Sequence, residues 1–278
     1  MPSFGETALT SGGRPYNGGM ASPRFYYPAP LRAGASFDLP EAQARHACRV
    51  LRLREGDALT LFDGRGGEYR GRIVAAGRAG VCVDVLAWLD CERESHLPVT
   101  LIQALQTGDK MDATVQKAVE LGVARIVPVR SQRSVLRLDG ERAARRVAHW
   151  RAVVAAACEQ CGRNRLPVVE EIIDLDAWLK QLFMSPASLE SPALRLCLSP
   201  AAAAALPTLT PPAPGSGVEL LIGAEGGLDA AETALAADAG FRAVRLGPRV
   251  LRTETAGMAA VAAIQALWGD WASGAPLE

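Results

Sequence analysis

Between Gly217 and Gly257 the chain twice passes from a strand-like run into a glycine-bearing loop, and no other stretch limits the fold as strongly. Val218-Glu219-Leu220-Leu221-Ile222 breaks into Gly223-Ala224-Glu225-Gly226-Gly227. After a helical pattern, Phe241 to Leu246 breaks into Gly247-Pro248-Arg249-Val250-Leu251-Arg252-Thr253-Glu254-Thr255-Ala256. Short apolar runs bounded by turn residues read as strands buried on both faces, the situation of a parallel sheet covered by helices. In such sheets ligands bind outside the carboxyl ends of the strands. Two loops of this kind, separated by one helix, predict the two lips of a single cleft.

The sequence upstream follows the same grammar. Predicted strands at 99–105, 124–129, 167–172 and 194–198 alternate with predicted helices at 109–121, 141–162 and 175–183. Met111, Val115, Ala118 and Val119 recur at helical spacing, and Gly122 and Gly162 stand where helices end in a left-handed residue. This alternation predicts an α/β domain with a mostly parallel sheet. A last predicted helix, 253–271, carries Ala256, Gly257, Ala259, Ala260, Ala262 and Ala263, so its backbone can approach a neighbour closely. Ile264, Leu267, Trp268 and Trp271 extend its apolar surface beyond what one core face needs, which favours a dimer.

Residues 23–97 read differently. Short runs at 58–62, 68–76 and 81–89 lie between turn clusters and predict a small β-barrel. One predicted helix, 41–51, places Arg45, Arg49 and Arg52 on one face with His46 beside them. Such a row can follow a phosphate backbone, and an ordinary exposed amphipathic helix would show it equally. The polar stretch Glu92 to Pro98 marks the boundary, which gives domains at 22–97 and 98–278. Residues 1–21, in large part Gly, Ser, Thr and Pro without an apolar core, read as a disordered extension.

Net charge is zero, but its distribution is uneven. Residues 98–165 hold twelve Lys and Arg against six Asp and Glu, whereas residues 166–278 hold six against thirteen. A basic block in a neutral chain is the footprint of a polyanion partner, and a solvated face on the helix from Glu141 would also produce it. The six cysteines form no disulfide framework, which suits a reducing cytoplasm. Cys158-Glu159-Gln160-Cys161 has no second pair to complete a metal site. No apolar run is long enough to span a bilayer. The glycine loops lack both the dinucleotide fingerprint and the Lys-Ser/Thr of a P-loop, which disfavours dinucleotides and triphosphates.

The paired loops Leu221 to Gly227 and Leu246 to Ala256 resemble the signature of the RsmE family, ribosomal-RNA uridine-N3 methyltransferases of the SPOUT class. Further matching segments are Gln103-Ala104-Leu105 with Gly108 to Asp112 and Gln116 to Gly122, Glu159 to Arg163, Arg24-Phe25-Tyr26, and His46 to Arg52. The resemblance covers about residues 22–271. Two positions depart from it: Ala224 stands where the family usually has proline, and Thr107 where lysine is common. It implies a PUA-like β-barrel followed by a trefoil-knotted SPOUT domain, acting as a homodimer in the cytoplasm.

The same resemblance implies S-adenosyl-L-methionine as cofactor, held by Gly223, Glu225, Gly226, Leu246, Gly247 and Leu251 with Leu198 from the neighbouring strand. Arg252 is expected to stabilise the uridine imide anion, and Glu254 to accept its proton or else simply to favour a helix start. For small-subunit ribosomal RNA, within an assembled or nearly assembled subunit, the expected contacts are Arg24, His46, Arg49, Arg52, Lys110, Arg163 and Arg165. Two other readings stand beside this one: a non-catalytic RNA-binding protein, which would not bind the cofactor, and a nucleotide-dependent oxidoreductase on an α/β sheet.

Overall fold

The computed structural model describes residues 22–77, 80–184 and 193–272. The expected disordered extension, 1–21, lies outside the described residues. Contacts divide the chain into two compact units between Cys91 and Glu92, somewhat ahead of the expected 97/98 boundary. The polar segment belongs to the second unit because its carboxylates pair there, Glu92 with Arg165 and Glu94 with Arg163.

The first unit holds β1 (Arg24–Tyr26), β2 (Ser36–Asp38), α1 (Glu41–Arg45), β3 (Ala58–Phe62), β4 (Glu68–Gly77) and β5 (Gly80–Leu89). The strands form one sheet in the order β1-β3-β4-β5-β2; β1 runs parallel to β3 and the other pairs are antiparallel. Alternation sends Leu59 and Leu61 of β3, Ile73 of β4, and Val81, Val83 and Val85 of β5 into a core closed by Ala44 and Ala47.

One expectation fails in this unit. The predicted helix 41–51 is α-helical only to Arg45; His46–Val50 is a π-turn, and Arg52 sits beyond it with φ 57°. The wider turn breaks the i, i+4, i+7 relation, so the expected helical face of Arg45, Arg49 and Arg52 does not form, although all three side chains are exposed.

The second unit holds β6 (Val99–Ala104), α2 (Lys110–Glu120), β7 (Val123–Arg130), α3 (Gly140–Cys161), β8 (Val168–Val169), β9 (Ile173–Asp174), α4 (Leu175–Met184), β10 (Leu194–Leu198), β11 (Val218–Ile222), α5 (Ala230–Asp238), β12 (Arg242–Val244) and α6 (Thr253–Trp268). Its sheet runs β12-β10-β11-β6-β7-β8, with β9 also on β7, and every pairing is parallel. β6 shows how both faces are used. Ile102 and Ala104 point into a core with Leu175, Trp178 and Phe241 on the α4–α5 side, while Leu101 and Gln103 face Gly257 of α6. Gly122 and Gly162 end α2 and α3 at φ 82° and 90°, the left-handed geometry that favours glycine.

α2 and α3 are pinned together at Asp112, which accepts from the Trp150 Nε1 at 3.0 Å and lies 2.7 Å from the His149 Nε2. Burial alone would raise its pKa, but these hydrogen bonds and the Arg146 charge outweigh it and hold the carboxyl below its ordinary value. Of the residues expected to extend the apolar surface of the last helix, Ile264 is fully buried in the core, whereas Leu267 and Trp271 are exposed. Among the described residues no helix is long and apolar enough to cross a membrane.

Candidate active site

A cavity of about 300 Å³ opens at the carboxyl ends of three adjacent strands, where Leu198 leaves β10, Ile222 leaves β11 and Val244 leaves β12. Its lips are the two glycine loops. The first is a tight turn closed by the Gly227 N–H donating to the Ala224 carbonyl at 2.8 Å, with Gly227 at φ 71°. A Cβ on Gly223 would come within 3.0 Å of the Gly227 carbonyl carbon and 3.1 Å of the Leu228 nitrogen, both backbone atoms that cannot swing away. On the second lip, Gly247 has nothing within 4 Å of where a Cβ would stand, so the backbone there is bare. The Gly223→Ala protein is therefore expected to bind a ligand of this cavity at least about tenfold more weakly, measured by calorimetry. Unchanged affinity would mean that the turn's shape does not matter.

Of the seven residues expected at the cofactor, Leu198, Gly223, Glu225, Leu246, Gly247 and Leu251 line the cavity. Gly226 does not. Its carbonyl is turned toward Arg133, whose Nη1 donates to it at 2.6 Å. The carboxylate of Glu225 is drawn to the Lys110 ammonium at 3.4 Å, and the same ammonium lies 3.6 Å from Glu254. Lys110, expected on RNA phosphate, thus sits between two carboxylates.

Arg252 lines the cavity as the N-cap residue of α6, and among the described residues its exposed guanidinium has no carboxylate partner. Glu254 takes the place that the helix-start reading gives it. It lies in the first turn of α6, where a carboxylate favours the positive end of the helix dipole, and is not among the residues lining the cavity. Cys197 precedes the cavity-lining Leu198 on β10; burial pushes its thiol up to about 11, so it stays protonated and is no nucleophile.

The remaining expected RNA contacts divide. His46, Arg49 and Arg52 are exposed in the first unit, and Arg165 is exposed while paired with Glu92 at 2.7 Å. Arg24 is instead tied into its own sheet, ion-paired with Glu68 and stacked 5.0 Å over the Phe62 ring. Arg163 is 4% exposed; its guanidinium bonds both oxygens of Glu94 and donates to the carbonyls of Val119 and Val123. Neither guanidinium is offered to a phosphate, because each already satisfies partners inside its fold.

Among the residues in and beside the cavity to which the sequence reading gave no role, two are linked by hydrogen bonds. Thr253 is buried and donates to the Gly223 carbonyl at 2.7 Å, and Gln103 at the end of β6 donates to Thr253 Oγ1 at 3.3 Å. A glutamine near the end of a mostly apolar strand was the available signal for one of them.

Residues 93–265 match the RNA methyltransferase domain family, and residues 39–86 match the RNA methyltransferase PUA domain family. The chain is 32% identical over 252 residues to ribosomal RNA small subunit methyltransferase E of Mycobacterium bovis, covering 91% of this chain and 94% of that one. The crystal structure of the Neisseria gonorrhoeae ribosomal RNA small subunit methyltransferase E, bound to S-adenosyl methionine, is similar at 43% identity and a TM-score of 0.82. It covers 90% of this chain and all of that one (100%). A Legionella pneumophila protein solved with bound SAM superposes with a TM-score of 0.83 at 34% identity, with 90% and 100% covered. With a matching domain and relatives of this identity along nearly their whole length, the chain belongs to the ribosomal RNA small subunit methyltransferase E family.

Proposed function

We propose that this protein methylates N3 of a uridine in small-subunit ribosomal RNA, with S-adenosyl-L-methionine held in the cavity between the two glycine loops. The observation that carries the reading is the pairing of a bare-backbone pocket with a cation on its wall, Arg252, that has no carboxylate partner among the described residues. The residues fit the cofactor. Gly247 leaves backbone exposed to a flat ring, Leu198, Leu246 and Leu251 supply apolar walls, and Glu225 offers a carboxylate to a cationic or hydroxyl-bearing ligand. When bound, the cofactor supplies an electrophilic methyl group.

The protein's own share is binding, positioning and charge. N3 of uridine keeps its proton at neutral pH, and the Arg252 guanidinium favours the imide anion electrostatically. Holding the nucleotide in line contributes at least as much. His46, Arg49 and Arg52 of the first unit, with Arg165 of the second, would meet RNA phosphates, which fix register without reading sequence. A base inside a folded RNA must leave its stack to enter such a pocket. The exposed Leu267 and Trp271 support a homodimer, and the assembled or nearly assembled small subunit in the cytoplasm is the substrate this reading implies.

The test is incubation of the protein with labelled S-adenosyl-L-methionine and small subunits lacking the modification. Label is expected on uridine N3 of the ribosomal RNA. Label on another atom, or none with active control enzyme present, would overturn the reading.

A further inference from the structure

Gln103 is fully buried, and half of its amide has no partner. It stands at the carboxyl end of β6, paired in register with Ile222 of β11, immediately before the first glycine loop. Its Nε2 donates to the Ala104 carbonyl at 3.0 Å and to Thr253 Oγ1 at 3.3 Å; Thr253 Oγ1 donates in turn to the Gly223 carbonyl at 2.7 Å. Its Oε1 is buried without a hydrogen-bond donor. Leaving an acceptor this way costs stability, and an unbranched apolar side chain of similar length would remove that cost.

What the apolar replacement would lose is the hold on Thr253. That hydroxyl has a particular place: Gly223 begins one lip of the cavity, and Thr253 lies in the other. The relay from β6 through Thr253 to Gly223 therefore fixes the lips relative to the sheet. Gly257 on the next turn of α6 makes room for it, since a Cβ there would stand 3.3 Å from Gln103 Oε1. We propose that Gln103 and Thr253 are positioning residues that set the separation of the two cofactor loops. This rests on the reading of the cavity as the S-adenosyl-L-methionine site.

The experiment measures S-adenosyl-L-methionine affinity by calorimetry and ligand-free Tm for the wild type, Thr253→Val, Thr253→Ser and Gln103→Met. Thr253→Val and Gln103→Met are expected to bind about tenfold more weakly, and Thr253→Ser within about twofold of wild type, because serine keeps the hydroxyl. The Tm of Gln103→Met is expected to equal or exceed that of wild type. Wild-type affinity in Thr253→Val or in Gln103→Met overturns the proposal. So does a Thr253→Ser protein as weak as Thr253→Val, which would show that the hydroxyl is not the working group. A Gln103→Met protein that melts below wild type would make the amide a structural group and overturn it as well. Should Thr253→Val fail to fold, weak binding by Gln103→Met with undiminished Tm supports the proposal by itself. A wild-type protein that binds no S-adenosyl-L-methionine would overturn the cofactor reading, and the positioning role with it.

Discussion

Replacing Arg252 with alanine is expected to lower kcat by about 10²–10³ while leaving affinity for S-adenosyl-L-methionine within about twofold of wild type. The size follows from the environment. The guanidinium lines the cavity, and among the described residues no carboxylate neutralises it, so its charge is available to an anion forming in the pocket. Its backbone carbonyl accepts from the Ala256 N–H at 2.7 Å, a bond that alanine keeps, so the helix start should survive. A second signature separates charge stabilisation from mere positioning. Raising the pH supplies the imide anion from solvent, so the deficit of Arg252→Ala should shrink in alkaline buffer, and Arg252→Lys should recover part of the rate. A deficit independent of pH, or no deficit, would remove Arg252 from the chemistry.

The second large effect concerns a residue outside the site. Arg163→Ala is expected to destabilise the protein by about 3–5 kcal/mol, because it leaves Glu94 facing a buried space once filled by its partner. The two side chains are 5% and 19% exposed, and the arginine also serves the carbonyls of Val119 and Val123 at the ends of α2 and β7. Thermal denaturation should show a Tm lower by roughly 10 °C. The double variant Arg163→Met with Glu94→Leu should recover much of the loss, since it removes both charges together. If Arg163→Ala instead melts like wild type and loses only RNA affinity, the guanidinium reaches solvent more readily than its buried setting implies.

Arg163 also shows where sequence reading stops. Following the helix-ending Gly162 in a basic block, it looks like a phosphate contact; Glu94, 69 residues away, is what makes it structural. The relay from Gln103 to Thr253 spans 150 residues and was invisible for the same reason. By contrast the cavity was readable, because it depends on local grammar: a mostly apolar run at 218–222 and a β-like run at 241–246, each stopping at a glycine. Strands of two or three residues, such as β2 and β8, are too short to display a period, and only their neighbours define them. The π-turn at His46–Val50 leaves no mark in the spacing of its arginines, which look helical until the backbone is traced. Whether a chain segment passes through a loop is equally unrecorded in periodicity.

The strand order has a consequence for biosynthesis. β6 lies between β7, made shortly after it, and β11, whose residues 218–222 are made far later. While the chain emerges, β6, β7 and β8 can pair, but the other edge of β6 stays open until translation reaches β11, and its Leu101 side lacks α6 until that helix follows. An open apolar edge is a template for pairing with another nascent chain, and domains acquire order as they are synthesised. The pocket is thus finished only with the last helix, so a ribosome that pauses before Val218 holds out a half-sheet with its sticky edge exposed, and chaperone dependence should be greatest in that interval.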